Sequence, residues 1–94
     1  MLTFHLKKEW YEKILSGEKT VEYQEVKPYW TTRLKNGTKF SELFITRCVL
    51  RLGYTKRKMM AEISKIEVVD GKDTDLHVDN PVYAIHLENV REEI

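Results

Sequence analysis

The sequence predicts an α+β fold, a small curved mixed β-barrel of about five strands flanked by two short helices. Hydrophobic periodicity alternates between two and 3.6 residues along the chain and gives the order β-α-β-α-β-β-β. Between Met59 and Val69 the alternation slips phase: Ala61 and Ile63 share one parity, Ile66 and Val68 the other. One extra residue in a bulge would produce that slip, and bulges bend strands as small barrels require. Five strongly curved strands in 94 residues suggest a small, partly open barrel rather than a doubly wound parallel sheet.

Each element has its own signal. Leu2-Thr3-Phe4-His5-Leu6 alternates apolar and polar, as a half-buried strand does. From Lys8 to Ser16 the apolar residues Trp10, Tyr11, Ile14 and Leu15 form a helical stripe, with Lys8, Glu9, Glu12 and Lys13 outside it. Gly17 follows at the position where a left-handed C-terminal cap is wanted. Thr20 to Val26 alternates again, Val21 and Tyr23 opposing Glu22 and Gln24. Pro28 suits the first turn of a second helix, which Trp30 and Leu34 continue and Asn36-Gly37 closes. Residues 40–50 read as a strand with Leu43, Ile45 and Val49 on one face. Residues 51–58 read as a basic, glycine-containing hairpin tip, and Asp70-Gly71 as a turn. Residues 73–81 lack periodicity and are expected to be a surface loop; Val82 to Leu87 is the last strand, and 88–94 a frayed charged tail.

Composition narrows the function classes. The hydrophobic fraction of 41% and aromatic fraction of 11% suit one globular domain spanning residues 1–94. No apolar run is long enough for a membrane span, so no membrane partner is expected. The start, Met-Leu-Thr-Phe-His, lacks a basic n-region and an apolar h-region, and Cys48 is the sole cysteine; a cytoplasmic location is expected. His5, His77 and His86 show no metal-ligand spacing, so neither metal nor cofactor is expected. Cys48, inside an apolar strand, reads as an inert buried thiol. Residues 1–60 hold 13 Lys and Arg against 6 Asp and Glu, whereas residues 61–94 hold 3 against 9. That asymmetry points to an anionic partner for the N-terminal half.

Candidate site residues concentrate in Ser16 to Trp30, where a helix end, a strand and a helix start meet. Lys19, Glu22, Gln24 and Lys27 are set there among Tyr23, Tyr29 and Trp30. Convergence of Lys19 and Glu22, three residues apart, requires a twist at the strand start. On the second helix, Tyr29 and Arg33 have the chemistry to stack on and clamp a base. At the hairpin tip, Tyr54, Lys56 and Arg57 suit a phosphate backbone.

The string Ile14-Leu15-Ser16-Gly17-Glu18-Lys19-Thr20-Val21-Glu22-Tyr23-Gln24 resembles the Gly-x-Lys-x-x-Glu-x-Arg signature of ASCH domains, the activating-signal-cointegrator homology family. The order and spacing of leading strand, amphipathic helix, motif strand and closing strand (Val82-Tyr83-Ala84-Ile85) are similar too. The resemblance implies a PUA-like barrel whose motif residues line a cleft that receives RNA or a nucleotide. It assigns Lys19 as the motif lysine and Glu22 as the motif acid, with Gln24 in place of the arginine. An amide offers phosphate neither the charge nor the donor fork of a guanidinium. Some small members of that family are amidases acting on an acetylated cytidine, in which a threonine three residues past the lysine and a glutamate from a later helical insertion complete the site. Here Glu22 stands at the threonine position, and Glu62 or Glu67 are the candidates for the distant acid.

Two functions follow as expectations. The first is an RNA- or nucleotide-binding module whose cleft lies between residues 17–30 and the 51–58 tip. In it Lys19 and Lys27 meet phosphate or carbonyl, Glu22 and Gln24 hydrogen-bond base or sugar, and Tyr29 stacks. The second is a small amidohydrolase on an N-acylated cytidine nucleoside, with Lys19 as base or nucleophile and Glu22 relaying a proton.

Overall fold

The computed structural model of the chain describes residues 2–35 and 47–93. Its elements run β1 (Leu2–Leu6), α1 (Lys8–Leu15), β2 (Val21–Glu25), α2 (Pro28–Lys35), β3 (Arg47–Leu52), β4 (Lys58–Asp70), a 3₁₀ turn (Gly71–Asp73) and β5 (Pro81–Glu93). The described strands form one sheet in the order β1-β3-β4-β5-β2. Among the described residues only the β1–β3 pair is parallel. The mixed sheet curls into a half-barrel with the two helices, the small α+β barrel that the periodicity predicts.

The concave side is the core. Phe4, Leu50, Met59 and Ile85 from the strands, Tyr11 and Ile14 from α1, and Leu34 from α2 are buried in one cluster. In β1 the even residues face it and His5 faces solvent, as a two-residue period dictates. In β3 the buried residues are Cys48 and Leu50, so Val49 lies on the opposite face. The Asn36-Gly37 helix stop and residues 40–46 of the expected strand lie outside the described residues.

Curvature comes from two breaks in the β4–β5 register. Ile63 pairs with Leu87 and Lys65 with His86, so Ser64 is an extra residue on β4. Met59, Ala61 and Ile63 are buried before it and Ile66 after it, which is the phase slip visible in the sequence. The second break is on the partner strand. Met60 pairs with Arg91 but Glu62 with Glu88, and Asn89 takes a left-handed conformation at φ 52°.

β5 therefore does not stop at Leu87. Its continuation to Glu93 pairs with Lys58, Met59 and Met60, where a frayed tail was expected. A partly buried polar junction holds it. The Tyr11 hydroxyl donates to Glu92 Oε2 at 2.9 Å, and Arg57 donates to the same oxygen from Nη2 at 2.6 Å and Nε at 3.1 Å. Val90 packs on the core edge. Burial, and then Glu92, push the Tyr11 phenol up to about 12, so it stays a donor across the physiological range.

The segment from Thr74 to Asn80 is a loop, as expected, but a tied one. Gly71 N–H donates to Asn80 O at 3.0 Å, and the buried Thr74 hydroxyl donates to Gly71 O at 2.8 Å. Gly71 is packed so closely that a Cβ there would lie 2.4 Å from Asn80 O and 2.8 Å from Val78 O, both backbone atoms. Gly71→Ala should destabilise the protein by about 1–3 kcal/mol, the usual cost of overpacking. A thermal melt checks this, and an unchanged midpoint would show that the loop base yields freely.

Candidate functional site

The site begins with the way α1 ends. Ser16 is the last residue with helical dihedrals and Gly17 turns left-handed at φ 85°. Gly17 N–H then reaches Ile14 O at 3.1 Å, and Lys19 N–H reaches Lys13 O at 3.0 Å. The lone carbonyls of the last helical turn are thus satisfied by the backbone of the motif segment itself. This fold-back returns the Lys19 side chain along α1. Its ammonium sits 5.0 Å from the Trp10 ring centroid and 4.9 Å from that of Tyr23, and it forms an ion pair with Asp75 from the 74–80 loop. Only 11% of the Lys19 side chain is exposed.

Beside this ammonium lies an open hollow of about 410 Å³, lined by Trp10, Lys13, Glu18, Lys19, Thr20, Val21, Tyr23 and Asp75. That volume falls within the range of small-molecule sites. The walls combine the Trp10 and Tyr23 rings with two ammonium groups, Lys13 and Lys19, and two carboxylates, Glu18 and Asp75. Burial, helped by Asp75 and Glu67, raises the Tyr23 phenol above its ordinary value, so the ring wall is neutral.

Glu22 leaves β2 on the other side. Val21 and Tyr23 face the hollow, and Glu22 between them faces the barrel interior, 6% exposed. Gln24 Nε2 donates to its carboxylate at 2.8 Å. Burial drives the Glu22 pKa up to about 7, against the opposing pull of Lys19 and the Gln24 hydrogen bond. Burial, with a contribution from Glu22, also pushes the Cys48 thiol up to about 12, leaving it an inert thiol at neutral pH. Lys19 and Glu22 are thus coupled through space, yet among the described residues the hollow is walled by the first and not the second.

The remaining expected residues have settled places. Lys27 is exposed, with Glu25 at 3.6 Å. The Arg33 guanidinium lies 3.5 Å over the Tyr29 ring and donates to Tyr29 O at 3.1 Å. Tyr29 meets Trp30 edge-on at 4.8 Å, and Trp30 stacks on Phe4 at 5.0 Å, so this series of rings runs into the core. Tyr54 is 92% exposed and stacks on His5 at 4.5 Å. Lys56 is exposed, whereas Arg57 is spent on Glu92. Arg57 also lies over Tyr11, while Lys19 lies over Trp10, so the tip and the hollow meet different flanks of α1. The expected common cleft between residues 17–30 and the tip is not what the described residues form.

Sequence reasoning missed Trp10 and Asp75. Four apolar residues in an eight-residue helix are more than the core uses; Tyr11 and Ile14 are buried, and Trp10 is the surplus. Asp75 carries no local signal, since its place depends on how the loop closes. Among the described residues no group of three His, Cys, Asp or Glu could hold a metal ion, and no helix is long and apolar enough to cross a membrane.

Comparison with protein-family models, curated proteins and solved structures finds no match. The site must be read from its own geometry.

Glu22 yields a pH prediction. Its carboxyl holds its proton to about pH 7 when folded but only to about 4.5 when unfolded. Between those values the folded state binds more protons, so stability should fall as pH rises from 4.5 to 7 and then level off. Glu22→Gln should flatten this slope and raise stability at pH 8 by about 1–3 kcal/mol. Urea titrations of both proteins at pH 5 and pH 8 measure it; parallel pH profiles would contradict a buried, protonated Glu22.

Proposed function

We propose that the chain binds a nucleotide-like ligand, a nucleotide or an exposed base of RNA, in the hollow at Lys19. The observation that carries this reading is a two-ringed slot with an ammonium between the rings and a carboxylate at its rim. Planar heterocycles stack on aromatic faces, and the ammonium and Asp75 would meet a ring carbonyl and a ring amine. The resemblance of residues 14–24 to the ASCH signature supports the same reading, and with it the assignment of the chain to that PUA-like family. Gln24, in the arginine position, donates to Glu22 and brings no charge to the hollow, which suits a ligand recognised by its base more than by its phosphate. Lys27, Tyr29 and Arg33 would extend this site only if α2 contributes to it.

The test is a calorimetric titration with cytidine, uridine, adenosine and their monophosphates. At least one should bind, and Lys19→Ala or Trp10→Ala should weaken it by about tenfold, as loss of one stacking or charge-assisted contact does. Absence of binding across the series, or native affinity in both variants, would dismiss the hollow as a base site.

A second reading is favoured by one feature, the acid paired with Lys19. A small amidohydrolase on an N-acylated cytidine needs a lysine and a distant acid, and Asp75, rather than Glu62 or Glu67, meets Lys19. The Lys19 ammonium would donate to the acyl oxygen while Asp75 takes a proton from the attacking water. Collapse would break the C–N bond, with that proton passing to the departing exocyclic nitrogen, to give a carboxylate and cytidine. Glu22, titrating near neutrality inside the barrel, would tune Lys19 through space. N4-acetylcytidine should then be deacetylated by the native protein, and Asp75→Asn should lower the rate by at least a hundredfold. Turnover no faster than with Lys19→Ala would eliminate the enzyme.

A further inference from the structure

The sheet face that borders the Lys19 hollow continues past it onto β5 and β4. Val21 and Tyr23 line the hollow; His86 of β5 pairs with Val21, and Ala84 with Tyr23. On β4, Lys65 lies opposite His86 and Glu67 opposite Ala84. Paired residues project to the same side, and the intervening Ile85 and Ile66 are buried in the core. Val21, His86 and Lys65 therefore form one row on the outer side, and Tyr23, Ala84 and Glu67 the next.

Glu67 reaches across from its own row to His86. The imidazole Nε2 lies 2.5 Å from Glu67 Oε2, and Lys65 Nζ approaches the same oxygen at 3.4 Å. In the neutral ring that bond places the imidazole proton on Nε2 and leaves Nδ1 an acceptor. Among the described residues the ion pairs and hydrogen bonds of this cluster fall on Oε2, so Glu67 Oε1 and His86 Nδ1 stand open side by side. The two side chains are 40% and 30% exposed, enough for a ligand to reach them. The cluster is also felt in the hollow, because the charges of Asp75 and Glu67 both act on the Tyr23 phenol. The His86 Cβ stands about 5 Å from that of Val21 at the usual cross-strand spacing, and about 7–8 Å on the diagonal from Tyr23. A nucleoside whose base rests on Tyr23 spans such a distance to its own sugar hydroxyls.

We infer that His86 and Glu67 form a sugar subsite beside the hollow, which reads the vicinal hydroxyls of a ribonucleoside and so disfavours 2′-deoxyribonucleosides. Two adjacent acceptors complement two adjacent donors, which a ribose presents as its 2′- and 3′-hydroxyls. Dinucleotide-binding folds also set an acidic side chain on the ribose hydroxyl. The inference rests on the base-binding reading of the hollow and adds to it the part of the ligand beyond the base.

Calorimetric titration with cytidine, uridine and adenosine, and with their 2′-deoxy counterparts, tests it. Each nucleoside that binds should do so about tenfold more tightly than its 2′-deoxy counterpart, as one hydrogen bond to a charged acceptor gives. Glu67→Ala and His86→Ala should each abolish most of that preference while leaving the affinity for the 2′-deoxynucleoside at its native value. Lys19→Ala, at the base end, should weaken both sugars alike. Equal affinity of the native protein for the two sugars would overturn the subsite and leave the base site standing. So would a preference that survives both alanine variants, or variants that weaken the two sugars by one common factor, as a pair that only fastens β4 to β5 would do. Binding of neither sugar series would dismiss the base site and the subsite together.

Discussion

The pairing of β4 with β5 is the constraint on which the rest of this molecule depends. Both strands are thirteen residues long, and neither could stay flat over that length while the sheet also wraps two helices. An extra residue at Ser64 on one strand and another at Asn89 on its partner bend the ribbon. The bend makes an inside, filled by Phe4, Tyr11, Ile14 and Leu34, and an outside left to charge. Because β5 reaches Glu93, it also brings Glu92 to Tyr11 and Arg57, fastening α1 to the hairpin.

The interior is not purely apolar. Glu22 faces it from β2, satisfied by Gln24 and kept near its protonated form by burial. A carboxyl in that place costs stability above pH 5, and chains under 100 residues have little to spare. Tyr83, also buried, finds the Thr31 hydroxyl at 2.7 Å, which joins α2 to β5 through a neutral contact of the usual kind. Glu22 differs from it in carrying a proton that can leave near neutral pH. Strain of this sort is found where function requires it more often than where folding does.

The two faces of β2 divide the candidate chemistry. Tyr23 and Val21 border the Lys19 hollow, and Glu22 and Gln24 look inward. Electrostatic coupling joins the two sides across the strand without a shared wall. Asp75, the partner of the Lys19 ammonium, is carried by the 74–80 loop, which is tied at Gly71 and Thr74.

The sequence by itself determined the alternation of strands and helices, the glycine stop after α1 and the bend in β4. Each is a local property: parity, helical spacing, or a dihedral that only glycine takes easily. The charged run after Leu87 misled, because its strand is held by Tyr11 and Arg57, which are distant in the chain. Tertiary structure alone decided that Asp75 meets Lys19, that Arg57 goes to Glu92, and that Glu67 reaches His86. Pairing partners and loop closure bring together residues tens of positions apart, and no window of sequence records which of the available charges will be neighbours.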